Sequence, residues 1–387
     1  MALIPGSKKT KESFKFSFRN SIIMKPINQT EPLIEEEEKK AVAEYLGSGG
    51  WLTEFKKTRE FEEGIARFLG VKYVSVVNNG TVSLAVALMA LGLGREDEVI
   101  VPDYTMIASA NAVVLAGAKP VFVDINPQNL CLDFEKTKNA ITPRTKAIIL
   151  VTINGRWPVM EKFVELAAEN DIFLVEDAAQ SFGSKYKNKF LGTFGVLGCF
   201  SFSPHKIITT GQGGCVATND ENPYQKILKI KDFGRSKSGV DYHEAMGFNF
   251  KFTDLQAVIG IEQLKKIEQR VQRKKEMYRQ YRESLKNIAE IELIETDLEQ
   301  TAPWFVDILV PLEKRDDLVE FLKEKGIGTR PFYPAIHTQP PYSWVKGNFA
   351  NSENISKRGL WLPSSLALQD EEIEYICKSI KEYFNDK

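Results

Sequence analysis

The chain has 387 residues, with 51 Lys plus Arg against 52 Asp plus Glu, a formal net charge of −1; that balance excludes a protein whose main work is coating nucleic acid, which needs a basic excess to neutralise phosphates. Hydrophobic residues at 43% and charged residues at 27% are ordinary for a soluble globular protein of two domains, and no stretch nears the roughly 18 apolar residues of a bilayer span. Cys131, Cys199, Cys215 and Cys377 are far apart, and neither they nor His205, His243 and His337 show metal-ligand spacing, so no metal site, no disulfide framework and a cytoplasmic location are expected.

In chain order, residues 1–23 come first. They hold Lys8, Lys9, Lys11, Lys15 and Arg19 against Glu12 and lack the apolar core of a signal peptide. They read as a disordered N-terminal tail, with a basic targeting segment as the alternative. The acidic run 35–38 reads as a solvated first helical turn. From residue 24 to about 260, short Val- and Ile-rich runs alternate with helical stretches. Strands are expected at 73–77, 98–101, 120–123, 147–152, 173–176, 198–202 and 214–218, with helices near 83–91, 107–116 and 159–169. This pattern is that of an α/β domain with a mostly parallel sheet, whose ligands gather beyond the carboxyl ends of the strands. Residues 253–288 read as one long helix, or two with a kink, leaving that domain. A strand near 305–310 and helices near 316–325 and 370–384 then form a smaller α+β unit. The expected division is 24–262 for the large domain and 263–387 for the small one.

Three stretches could carry chemistry. Asn79-Gly80-Thr81 follows a strand and opens a helix. Its amides and hydroxyl suit a phosphate, and a plain capped turn would look the same. Asp177 ends an apolar strand and is followed by Ala178-Ala179-Gln180, so it could meet a flat ligand or only cap a helix. Lys206 lies between two apolar strands ahead of Gly211-Gln212-Gly213-Gly214. A desolvated lysine there becomes a neutral nucleophile, whereas a surface loop would leave it inert. No GxGxxG, P-loop or GxSxG motif is present. Together, a phosphate cradle, a strand-end carboxylate and a loop lysine are the needs of pyridoxal phosphate: an anchor, a partner for the pyridine nitrogen, and an amine for the aldehyde.

At these residues the chain resembles the pyridoxal-phosphate-dependent aminotransferases that act on nucleotide-linked keto-sugars. Phe200-Ser201-Phe202 and Gly247-Phe248-Asn249-Phe250-Lys251 extend the likeness from about Pro26 to the C-terminus. The resemblance implies the fold of those transferases: a large domain with a mixed, mostly parallel seven-stranded sheet, a smaller C-terminal domain, and a homodimer with shared active sites. Lys206 would be the catalytic residue, bound to the cofactor aldehyde. Asp177 would pair with the ring nitrogen and Gln180 with the ring oxygen. Gly80, Thr81 and Ser201 would hold the phosphate, and Asn249 would reach the phosphate in the partner subunit. Met106 stands where an aromatic ring usually covers the cofactor, with Tyr104 near enough to help. Asn154-Gly155-Arg156-Trp157 stands where Tyr-Gly-His/Gln is common, which leaves Arg156 as a surface residue or a substrate contact. Lys251 replaces the commoner arginine.

The stretch from Thr329 to Tyr342 looks like that of the GDP-perosamine synthase branch, which aminates C4 of GDP-4-keto-6-deoxymannose. Arg330 and His337 are then candidates for substrate contact, with Trp51 and Lys251 bordering its pocket; a proline-rich loop that only packs between domains would look the same. L-glutamate is the implied amino donor and surface polysaccharide synthesis the implied use. The alternatives are amination of a dTDP- or UDP-keto-sugar at C4 or C3, a sugar dehydratase (a branch with histidine at the Lys206 position), and a non-catalytic regulatory binding protein.

Overall fold

The computed structural model describes residues 26–237 and 239–385; the expected tail at 1–23 lies outside them. The large sheet is built from β1 (Tyr73–Val77), β2 (Glu98–Pro102), β3 (Lys119–Val123), β4 (Thr145–Val151) and β5 (Phe173–Asp177). A small hairpin follows, β6 (Lys185–Tyr186) and β7 (Lys189–Phe190), and then β8 (Leu197–Ser201) and β9 (Gly214–Thr218). The seven strands are ordered β1-β9-β8-β5-β4-β2-β3, and β9 alone runs antiparallel to its neighbours. The expected α/β class and mixed sheet are observed, and every expected strand lies within two residues of its observed ends.

Alternate residues of these strands enter different cores. Val99, Val101, Ile149 and Val151 belong to one apolar cluster, and Ile100, Ile148 and Leu150 to another. That is the period of two expected of strands covered on both faces. Because β1, β2, β5 and β8 all point one way, their carboxyl ends open on a single edge of the sheet.

The long helix expected at 253–288 is two, Asp254–Lys265 and Ile267–Leu285, broken at Lys266. The first packs on helices Lys56–Leu69 and Glu36–Gly47 of the large domain. The Asp254 carboxylate accepts the Phe55, Lys57 and Thr58 amides at 2.7–2.9 Å, serving the uncapped N-terminus of Lys56–Leu69 from a distant part of the chain. The helix that docks on those large-domain helices ends at Lys265, three residues past the expected boundary at 262. The acidic run also differs from expectation. Glu38 is buried, accepts Gln263 Nε2 at 2.7 Å and, with Glu35 and Glu37, surrounds Lys266.

The small domain holds an antiparallel sheet of β10 (Glu292–Leu293), β11 (Val306–Leu309), β12 (Arg330–Pro331) and β13 (Gly359–Leu362), ordered β10-β11-β13-β12. Helices Arg315–Glu324, Ala350–Arg358 and Asp370–Asn385 complete it, the α+β unit expected. Two features were not expected. Ile27 bridges Ile327 and lies in the small-domain core, so this domain draws on both ends of the chain. Trp304, Phe305, Phe332 and Trp361 of the small domain share one apolar cluster with Val151 and Val175 of the large sheet.

Candidate active site

A cavity of about 520 Å³ opens at the carboxyl edge of the large sheet. It is lined by Gly80, Thr81, Met106, Asp177, Gln180, Ser201, Lys206 and Arg330, so residues far apart in sequence meet as expected. Trp51, Asn249 and Lys251 instead line a separate cavity of about 830 Å³.

At one end of the smaller cavity, β1 runs into helix Gly80–Ala90. Asn79 caps it by accepting the Val82 amide at 2.9 Å, which leaves the first amides of the helix free for an anion. A Cβ at Gly80 would come within 2.8 Å of Ser201 Cβ, so only glycine lets helix and β8 close around a phosphate-sized space.

Asp177 ends β5 and is buried. Its Oδ2 accepts Ser109 Oγ at 2.6 Å and its Oδ1 accepts the Ala179 amide at 3.2 Å. Burial raises its pKa, against the opposing pull of these donors and of Lys206. Lys206 follows β8 in a turn closed by its own amide to Ser203 O at 3.0 Å. Its Nζ lies 3.8 Å from the centroid of the Trp304 ring. Burial pushes its pKa down to about 7; Asp177 opposes that shift and Arg330 adds to it. A substantial share of the amine is therefore free base near neutrality. His205 packs against Trp304, and burial first, then Lys206 and Arg330, push its pKa down to about 4. Arg330 lies over the Tyr333 and Trp361 rings at 5.5 Å, a planar cation at the mouth of the cavity.

These features fit pyridoxal phosphate. The Gly80–Ser201 cradle is shaped for a phosphate, Asp177 is a buried carboxylate suited to a protonated ring nitrogen, and Lys206 presents an amine whose neutral form burial favours. Met106 lines the cavity with its sulfur at 3.2 Å from the Ala108 amide. Tyr104 does not reach it: the ring is wholly buried against Phe332.

Two expectations are corrected. His337 lines neither cavity; its Nδ1 meets Asp103 Oδ2 at 2.7 Å and its amide donates to Asp103 Oδ1 at 2.9 Å, pinning the 334–342 loop to the end of β2. Arg156 is neither a surface residue nor a substrate contact. It is buried and ion-paired to Asp307 of β11 at 2.5 and 2.8 Å. Lys251 lines the larger cavity with Trp51 and Asn249, where Asp232 Oδ1 holds it at 2.7 Å.

Ser109, Tyr333 and Trp304 were missed. Ser109 is the second residue of the helix Ala108–Leu115 that follows β2, a position a strand-end reading could have flagged. Trp304 lies about a hundred residues from Lys206 and left no local signal.

The sequence model of the DegT/DnrJ/EryC1/StrS aminotransferase family matches residues 32–381. The chain is 38% identical to a GDP-perosamine synthase of Escherichia coli O157:H7, over 94% of this chain and 100% of that protein. Among solved structures it is similar to Helicobacter pylori PseC, an aminotransferase of pseudoaminic acid biosynthesis, with a TM-score of 0.88, 27% identity and coverage of 94% and 100%. It is also similar to E. coli GDP-4-keto-6-deoxy-D-mannose-3-dehydratase with bound hydrated PLP, with a TM-score of 0.85, 26% identity and coverage of 92% and 99%.

Proposed function

The chain belongs to the DegT/DnrJ/EryC1/StrS aminotransferase family and is a pyridoxal-phosphate-dependent sugar aminotransferase, and from that premise we propose that it moves an amino group from L-glutamate to C4 of GDP-4-keto-6-deoxymannose. The observation that carries the reaction is the desolvated Lys206 amine in one cavity with Asp177 and the Gly80–Ser201 cradle. Full-length similarity to a GDP-perosamine synthase supports the sugar. The product would serve surface polysaccharide or glycoconjugate synthesis in the cytoplasm; no helix among the described residues is long and apolar enough to cross a membrane.

When bound, pyridoxal phosphate supplies an electron sink for negative charge at the reacting carbon. Gly80, Thr81 and Ser201 would hold its phosphate, Asp177 would keep its ring nitrogen protonated, and Gln180 would meet its ring oxygen. Lys206 Nζ, with its pKa pushed down to about 7 by burial, would take up the proton lost by the donor α-carbon and, in the reverse sense, deliver one to the sugar carbon. Burial of that amine against the Trp304 ring favours its neutral form.

The reading includes a homodimer with shared active sites. Its support is the open cavity beside Asn249, where Trp51 is 67% exposed and nearby Met246 82%. Such apolar exposure is a cost that a second subunit removes. Dehydration is the second reading, favoured by the likeness to the E. coli dehydratase; Lys206, where that branch carries histidine, stands against it.

The test is NMR analysis of products from the pyridoxal-phosphate-loaded protein, GDP-4-keto-6-deoxymannose and L-glutamate. A 4-amino sugar with 2-oxoglutarate is expected. A 3-deoxy sugar would establish dehydration instead.

A further inference from the structure

Gln180 lines the cavity with one end of its amide already committed. Its Oε1 accepts the Asn154 backbone amide at 2.9 Å, and no protein acceptor meets its NH₂ end among the described residues. An amide anchored through its oxygen presents only donors to the cavity. That fixes Gln180 as a donor toward an anionic or carbonyl oxygen of the ligand.

Asn154 is itself unusual. It is buried, and its backbone is left-handed at φ 53 and ψ 29, a conformation few side chains other than asparagine tolerate. Gly155 continues the turn at φ 80, where a Cβ would come within 2.6 Å of Ser184 Oγ. Every polar atom of the Asn154 side chain is used. Oδ1 accepts the Phe305 amide at 2.7 Å, and Nδ2 donates to Phe305 O and Asp307 Oδ2, both at 2.8 Å. Phe305 is stacked on Trp304 at 3.9 Å, and the Trp304 ring is the surface on which Lys206 Nζ rests. One asparagine thus touches the chain at both functional groups: its backbone orients Gln180, and its side chain grips the segment beneath Lys206.

We propose that Asn154 is a positioning residue for the reaction, its left-handed turn holding Gln180 as a donor to the cofactor ring oxygen while its side chain fixes the Trp304–Phe305 shelf under the Lys206 amine. The inference rests on the Lys206 cavity being the cofactor site. It assigns a purpose to the Asn154-Gly155-Arg156 stretch, where Arg156 grips the same Asp307 that Asn154 does.

The test uses the full-length protein and two readouts, the dissociation constant for pyridoxal phosphate followed by its visible band, and steady-state kinetics. Alanine cannot hold the left-handed turn without strain, so Asn154→Ala should weaken cofactor binding as Gln180→Ala does, by about tenfold to a hundredfold for one lost hydrogen bond to a charged oxygen. The double variant should bind no more weakly than Gln180→Ala alone, because both changes remove the same contact. Glycine keeps the turn and drops the side chain. Asn154→Gly should therefore hold cofactor affinity within about threefold while kcat falls about tenfold. Losses that multiply in the double variant, or wild-type affinity in a folded Asn154→Ala protein, would overturn the link to Gln180. If Asn154→Ala does not fold, an Asn154→Gly protein with wild-type kcat overturns the link to the shelf. No visible band in either the wild type or Gln180→Ala would overturn both the cofactor site and the inference, which separates that failure from the others.

Discussion

The cavity around Lys206 and the cavity around Asn249 differ in how much of their surroundings one chain provides. The first has a buried carboxylate and a helix N-terminus held within the large domain, and a desolvated amine that rests on an aromatic floor from the small one. The second is larger, and exposed Trp51 and Phe55 stand at its edge beside Asp232-paired Lys251. Preorganisation is costly in conformational entropy and is found where chemistry needs it. A site that lacks it on one side is either a surface groove or half of a site completed by another subunit. The contrast separates a catalytic half, finished within the chain, from a binding half that a second copy would finish.

The largest expected effect breaks the first cavity. Lys206→Ala should lower turnover by about 10²–10⁴-fold or more from the lost proton transfer, with an unchanged circular dichroism spectrum; substantial residual activity would refute the assignment. Next, Arg156→Ala leaves the Asp307 carboxylate buried without its cation. It should cost about 3–5 kcal/mol in chemical denaturation, because this pair ties the finished cavity to the small domain.

The second cavity is tested by complementation. Asn249→Ala alone should weaken cofactor binding by about tenfold. Mixed dimers of Asn249→Ala with Lys206→Ala should regain activity, since one composite site would then carry neither change. No recovery after subunit exchange would make the Asn249 cavity a groove of a single chain. Lys251→Ala should have the smallest effect, at most about fivefold in the KM for nucleotide sugar, the scale of a partly exposed ion pair.

The pH response sharpens the contrast. Lys206 is shifted down to about 7, first by burial. Its amine is protonated below that pH and free above it, so capture of pyridoxal phosphate by the apoprotein should speed up through a midpoint near 7. A midpoint near 10 would mean a solvated lysine. The folded apoprotein also holds fewer protons than the unfolded chain between that midpoint and the ordinary lysine pKa of 10.5. Lys206 therefore contributes stability that rises with pH across that window, and Lys206→Met should remove that part of the slope, leaving the like contribution of Lys274, also pushed down to about 7 by burial.

What the sequence made legible follows from distance along the chain. The cradle, Asp177 and Lys206 were readable because each is set by a strand end and the few residues after it, where local spacing decides direction. Trp304, Ser109 and the Asn154–Gln180 bond were not, because their meaning depends on which distant segments pack together. His337 and Arg156 were misplaced for the same reason: a histidine in a proline-rich loop and an arginine after a strand show nothing of Asp103 or Asp307 until the domains are joined. The helix break at Lys266 was left open because the hydrophobic stripe carries on through it.

The pairing of Ile27 with Ile327 sets an order on how the molecule is made. The segment that begins the described chain cannot dock until its partner, roughly 300 residues later, has left the ribosome. At about 5–20 residues per second that wait is about 15–60 s. In that interval the large sheet can close around its own core, while Ile27 and the apolar residues beside it remain exposed to chaperones and proteases. Completion of the small domain therefore waits for Ile327, so a chain stalled before that residue would carry a formed cradle and an unfinished small domain.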